Sequence, residues 1–371
     1  MSPRSRVLAA LGHRDPGRVP FSWGFGPTRE MQDQLRRDLA ARGLDWDRLR
    51  AATDDVAQVH LAYAGPPLAP GADLWGIERK SVSYGAGAYD EIVRYPLAGA
   101  ASEAQIAAHP WPDPDAYDYD RLARDLERAR GLQPPRAIRT LGGHPFEIYS
   151  WMTGLEEALT NLALAPDLVR AGLDSITRHF EERLARLAGR IGGEVDILFC
   201  ADDLGGQTGP MLSRDDYRSV IMPFHRRLFA TARRLMPRAR IVYHSDGSVA
   251  ALLPDLLEAG IDALEALQLE CAGMEPQALK DTFGGRLAFH GGISVQQLLP
   301  RAGAAEVESE CRRLVGILGR GGGYIAAPSH AIQVGTPTEN VLAMLRGVLG
   351  EADYAAALDA ASSGGQAPAC A

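Results

Sequence analysis

A chain of 371 residues, 46% hydrophobic and 23% charged, carries enough apolar material for a large core. Its formal net charge of −8, with no run of Lys or Arg, excludes a nucleic-acid phosphate backbone as the partner. No stretch approaches ~18 uninterrupted apolar residues, and the start, MSPRSRVLAALGHRDPGRVP, lacks the apolar core and cleavage site of a secretory signal, so a cytoplasmic protein without a membrane partner is expected.

Beyond a first turn of helix, RVPFSWGF reads as a strand that ends in Gly and Pro, and DDVAQVHLAY reads as a second. Residues 64–136, rich in Pro, Gly, Tyr and Trp, break the rhythm and are expected to form a long inserted segment between the second and third strands. Within it PDPDAYDYD lacks the Gly and Glu of a calcium-binding hand and reads as a solvated turn. The alternation then becomes regular: AIRTLGG, VDILFCADD, RIVYHSD, DALEAL, RLAFHGG and YIAAPSH are short apolar runs, most of them separated by helical patterns.

Eight candidate strands alternating with helices predict an α/β fold, a (β/α)8 TIM barrel forming one domain over residues 1–355, followed by a flexible tail at 356–371. No G-x-G-x-x-G follows the first strand and no G-x-x-x-x-G-K-[ST] occurs, so an open nucleotide-binding sheet has little support. Cys200, Cys271, Cys311 and Cys370 are widely spread with no C-x-x-C pair, which argues against a disulfide framework or a structural zinc knuckle. Cys370, in the tail, reads as an incidental thiol.

Parallel barrels place their chemistry at the C-terminal tips of the strands. Asp202 and Asp203 end the fourth strand, His244 and Asp246 the fifth; Glu265 lies in the sixth, His290 ends the seventh, and His330 follows the eighth. A lone histidine here would read as a hydrogen-bonded core group, but three histidines with several carboxylates on one rim are costly to bury without a purpose. Strand period puts His244 and Asp246 on one face, and with His330 they make a two-histidine, one-carboxylate set of the kind that holds a divalent metal. The same H-x-D could be an acid/base pair in which the carboxylate orients the imidazole. Asp202, Asp203 and Glu265 stand as proton shuttles, further ligands or substrate contacts, with His290 as an alternative acid/base. Gln207, Gln296, Gly291 and Trp23 are candidate substrate contacts, while Gly247 is accounted for as a turn.

At these residues a resemblance becomes visible. DDLGGQTGPMLSRDDYRSVIMPFHRRLF, YHSDGSVAALLPDLLEAGIDALEALQ, ALKDTFGGRLAFHGGISVQQLLP and GGGYIAAPSHAIQVGTPTENVLAM resemble, in order, C-terminal blocks of the uroporphyrinogen decarboxylase-like superfamily. AALGHRDPGRVP, DLWGIE and WPDPDAYD extend the likeness into the N-terminal half. The resemblance implies a (β/α)8 barrel and, commonly, a homodimer. It also implies one of two activities. The true decarboxylases work without metal and begin with an arginine-rich motif of the type R-x-x-W-x-M-R-Q-A-G-R; RVPFSWGFGPTREM lacks its arginine pair, which disfavours a highly acidic tetrapyrrole as substrate.

The other branch comprises zinc-dependent methyltransferases that work with corrinoid proteins, their zinc bound by an H-x-C pair and a later cysteine. His244 matches that histidine, Asp246 stands where the first cysteine is expected, and His330 falls near the later one. Oxygen and nitrogen in place of two thiolates make a harder site, so zinc is expected first, with Fe, Mn, Co or Ni admissible. Three functions follow: a metal-dependent methyl or alkyl transferase on a small molecule with a corrinoid protein as partner; a decarboxylase or C–C lyase on a small polar acid; and a barrel that binds without turnover.

Overall fold

The computed structural model describes residues 1–83, 85 and 87–362. Its strands are β1 (Val56–Gln58), β2 (Glu78–Ser83), β3 (Ala88–Arg94), β4 (Ala137–Gly143), β5 (Ile197–Ala201), β6 (Arg240–His244), β7 (Ala263–Glu265), β8 (Ala288–Ile293) and β9 (Tyr324–Pro328). Among the described residues no helix is long and apolar enough to cross a membrane. The chain divides into two compact units, one of Met1–Ala57, Arg128–Ile138 and Ala263–Ala371, the other of Gln58–Glu127 and Arg139–Asp262.

In the first unit β7, β8 and β9 are parallel, with Leu264 opposite Phe289 and His290 opposite Ile325. Every residue of β8 and β9 is buried, so neither strand shows the apolar/polar alternation of a half-exposed one. The first expected strand, RVPFSWGF, survives only as an isolated parallel bridge between Phe21 and Ala326. Ala326 N–H donates to Pro20 O at 2.9 Å and Ser22 N–H to Ala326 O at 2.9 Å, while on its other side Phe21 exchanges 2.9 Å bonds with the Asp55 backbone N–H and carboxylate. Pairing goes no further because Pro20 has no N–H to give and Gly24 turns the chain at φ +59°. Arg6 (2.6 Å) and Arg18 (3.3 Å) neutralise the buried Asp55 that anchors this segment.

In the second unit β4, β5 and β6 are parallel, Phe199 lying opposite Val242 and Ala201 opposite His244. The segment expected as an excursion contributes an antiparallel hairpin of β2 and β3, from Glu78 opposite Arg94 to Ser83 opposite Ala88. It is held to the long helix Pro166–Ile191 through His179, whose ring nitrogens lie 3.0 Å from Pro112 O and from the Tyr117 hydroxyl. Residues 356–361, expected in the tail, instead complete a helix, Glu351–Ala361, in which Tyr354, Ala357 and Ala361 are buried. Its alanine-rich sequence favours that state. Residues 363–371, with Cys370, lie outside the described residues.

Candidate metal centre

The register of β5 against β6 brings two strand ends side by side, and Asp202 N–H extends the ladder by donating to His244 O at 3.0 Å. The loops that follow are laced together. Leu204 N–H donates to Ser245 Oγ (2.9 Å), Asp246 N–H to Asp203 Oδ1 (2.8 Å), and Ser248 N–H to Gly206 O (2.8 Å). Such close approach demands glycine. A Cβ on Gly205 would lie 2.5 Å from Asp246 O, and one on Gly247, at φ +77°, would lie 2.4 Å from Gly205 O. Gly247 therefore does more than end a strand: it lets one loop lie against the next.

The lacing places His244 Nε2 at 3.7 Å from both Asp203 Oδ1 and Asp246 Oδ1, too far for hydrogen bonds. One ligand atom from each of the three lies within 4.8 Å of the others. Tetrahedral bonds of about 2.1 Å would set ligand atoms roughly 3.4 Å apart, so small side-chain rotations bring the three onto one cation. The imidazole is buried, with the Phe199 ring 5.7 Å away, whereas the side chains of Asp203 and Asp246 are 39% and 31% exposed. Two carboxylates offset a divalent charge, and the donor set of two oxygens and one nitrogen suits a hard or borderline ion. Thiolate plays no part in the group. Cys200, next in line on β5, points to the opposite face toward Gly142, and burial pushes its thiol up to about 12.

The sequence predicts His244 and Asp246 with His330; the residue the structure brings to the first two is Asp203. His330 belongs to the other unit and stacks on Phe25, ring centroids 4.8 Å apart. Asp202, expected to shuttle protons, is 0% exposed and turned into the protein. Its Oδ2 lies 2.6 Å from His225 Nε2, its Oδ1 accepts Glu147 N–H at 2.6 Å, and Tyr217 hydroxyl lies 3.0 Å from His225 Nδ1. Burial holds Tyr217 well above the ordinary phenol range, so its hydroxyl keeps its proton.

In the other unit Glu265 and His290 are neighbours on β7 and β8, Oε2 to Nδ1 2.8 Å, both buried. Gly291 (φ +115°) sits where a Cβ would meet Ala266 O at 2.1 Å. Trp23 is not a surface for substrate. It is 1% exposed, packs edge-on against Phe21 and Trp46, and donates Nε1–H to Thr53 Oγ1 at 3.1 Å, so its ring is part of the core. Gln207 and Gln296 are exposed.

Sequence reasoning missed His144 and Glu147, which follow the end of β4. His144 Nδ1 lies 2.9 Å from Glu147 Oε2, and both side chains are mostly buried. Burial raises the Glu147 carboxyl above its usual range against the pull of His144, and the nearby charges of Asp203 and Asp202 raise it further. The signal was available, since GGHPFE follows a regular strand just as Asp202 and Asp203 do.

Residues 132–349, more than half of the chain, match the family model described as uroporphyrinogen decarboxylase (URO-D). No curated protein gives a significant match. Among solved structures, a methyltransferase from Methanosarcina mazei superposes with a TM-score of 0.64 at 17% identity, covering 94% of this chain and 98% of that one. A D-psicose 3-epimerase follows at 0.40 and 14% identity (64% and 86% covered), and native xylanase 10B from Thermotoga maritima at 0.37 and 13% (61% and 72%). The fold is thus shared along nearly the whole length with the methyltransferase, and the chain belongs to the uroporphyrinogen decarboxylase family.

Proposed function

We propose that this chain is a metal-dependent transferase of methyl or alkyl groups acting on a small molecule, with a corrinoid protein as partner. The observation that carries the reading is the Asp203, His244 and Asp246 group, whose ligand atoms lie within 4.8 Å at the ends of adjacent parallel strands. A divalent cation held there would supply Lewis acidity, lowering the pKa of a bound thiol or water or polarising a leaving oxygen. Around it the chain's own groups divide the work. His244 and the two aspartates would hold the ion, with substrate on the side where the carboxylates are open. Glu147, its carboxyl raised above the usual carboxylate range by burial and its Oε2 tied to His144, is suited to give or take a proton.

Elemental analysis of protein purified without chelator tests this. About one equivalent of a divalent metal is expected, with His244→Ala and Asp246→Ala abolishing it. Metal-free wild type would sink the proposal. A second reading, a decarboxylase or C–C lyase on a small polar acid, is supported by the buried guanidinium of Arg139, which lies 3.9 Å over the Phe199 ring on the same sheet and could meet a carboxylate. That reading requires turnover to survive exhaustive chelation.

A further inference from the structure

Asp202 is the point through which the parts of the second unit's candidate centre are joined. Its backbone N–H bonds to His244 O, it immediately precedes Asp203, and its carboxylate caps the N–H of Glu147. What fixes that carboxylate is a buried chain of two side chains reaching no ligand atom: Tyr217 hydroxyl to His225 Nδ1 at 3.0 Å, and His225 Nε2 to Asp202 Oδ2 at 2.6 Å. The imidazole is clamped between Phe229, stacked at 5.5 Å, and Tyr243, edge-on at 5.4 Å. Asp202, His225 and Tyr217 are all fully buried, so no solvent molecule from outside stands in for a lost partner.

The helix is built for this contact. Tyr217 opens a π-helical turn, Tyr217–Ile221, that feeds the regular helix Met222–Leu235 carrying His225. Eight residues of regular α-helix would leave the two side chains about 80° out of line. The wider π turn removes most of that offset and lets both face Asp202's side of the helix. With the hydroxyl donating to Nδ1, the ring proton sits on Nε2 and is donated to Asp202, which fixes both the tautomer and the angle of the carboxylate.

We propose that Tyr217, His225 and Asp202 form a positioning relay that sets the affinity of the Asp203, His244 and Asp246 group for a divalent cation. This rests on that group's being a metal site. The relay acts through backbone: a change in the Asp202 rotamer moves the Asp203 carboxylate and the His244 carbonyl together. It is the same logic by which hydrogen bonds behind a metal ligand tune it.

The test is titration of chelator-stripped protein with cobalt(II), following the ligand-field absorption and, in parallel, the thermal midpoint. His225→Ala is expected to weaken binding about 10–100-fold and to alter the shape of the absorption envelope. Tyr217→Phe, which deletes one hydroxyl and keeps the ring, is expected to weaken it about threefold to tenfold. His225→Gln, whose amide can still donate to Asp202, should recover most of the loss. Where His225→Ala does not fold, Tyr217→Phe and His225→Gln carry the comparison. Variants that bind cobalt as wild type does, with the same spectrum, overturn the relay, as does a fall in thermal midpoint with affinity unchanged. Wild type that takes up no cobalt overturns the metal reading itself and the relay with it, so the two failures are distinguishable.

Discussion

Gly205→Ala is a sharp test of how the candidate centre is assembled. The added Cβ would sit 2.5 Å from Asp246 O and 2.8 Å from both Gly247 C and Ser248 N, all of them backbone atoms that cannot swing aside. Ordinary contact begins at 3.4 Å, so the two loops must part by about 1 Å. Gly205 does not have a positive φ, which makes the cost steric rather than conformational. Overpacking of this kind costs about 1–3 kcal/mol, and losing the Ser248 N–H to Gly206 O bond adds about 1 kcal/mol. A ligand displaced by about 1 Å on a bond of about 2.1 Å is no longer a ligand, so cation affinity should fall at least tenfold. The assay pairs urea denaturation in excess chelator, which removes any stabilisation by bound metal, with cobalt titration. Gly209→Ala on the same loop, where a Cβ meets nothing within 4 Å, is the control and should change stability by less than about 0.5 kcal/mol. Wild-type stability and affinity in Gly205→Ala would refute the account of laced loops.

Asp203→Asn keeps an acceptor for Asp246 N–H but removes a charge, and should lower metal content without lowering the thermal midpoint in chelator; undiminished metal content would exclude Asp203 as a ligand. Cobalt-loaded protein should show no thiolate-to-cobalt charge-transfer band, because Cys200 is buried on the other face of β5 and its thiol is held at about 12; such a band would place a cysteine on the metal. Trp23→Phe should cost about 1–3 kcal/mol in urea denaturation, through the lost bond to Thr53 and lost packing, and leave metal content unchanged. Burial, with the Arg183 charge adding to it, lowers His179 from 6.5 to about 4, so between those values the unfolded chain binds the extra proton and stability drains away as pH falls. The loss is about 3 kcal/mol when complete, and His179→Gln should remove it; equal falls for wild type and variant between pH 7 and pH 4.5 would refute the assignment.

The strands were legible because parallel strands leave short, Gly- or Pro-bounded apolar runs, too short for a helix, between longer helical patterns, and seven of the eight candidates contain a strand. The eighth, around Phe21, shrank to one bridge for reasons that Pro20 and Gly24 already advertise. For the proposed centre, the sequence pairs His244 with Asp246, but by an incomplete argument. Period-two alternation requires both to lie in the strand, whereas β6 ends at His244. Asp246 reaches the group because Gly247 lets its loop lie on the loop after β5, and loop-to-loop lacing has no periodic signature. His225 was visible only indirectly, as a polar residue within the apolar stripe Ile221, His225, Leu228, Phe229 and Ala232 of an otherwise amphipathic helix.

Under the proposed metal site, aspartate at position 246, where the family resemblance leads one to expect cysteine, would change more than the metal's preference. A carboxylate oxygen stands one bond farther from Cβ than a thiolate sulfur does, which suits a residue carried on a loop beyond the strand end. Carboxylates also transfer less charge to the ion than thiolates, leaving it a stronger Lewis acid. With Glu147 nearby and able to carry a proton, the set is better matched to polarising an oxygen that must leave than to sheltering a soft sulfur nucleophile. Within the proposed transferase function, the residues at hand therefore favour the half of the reaction in which a methyl or alkyl group is taken from oxygen.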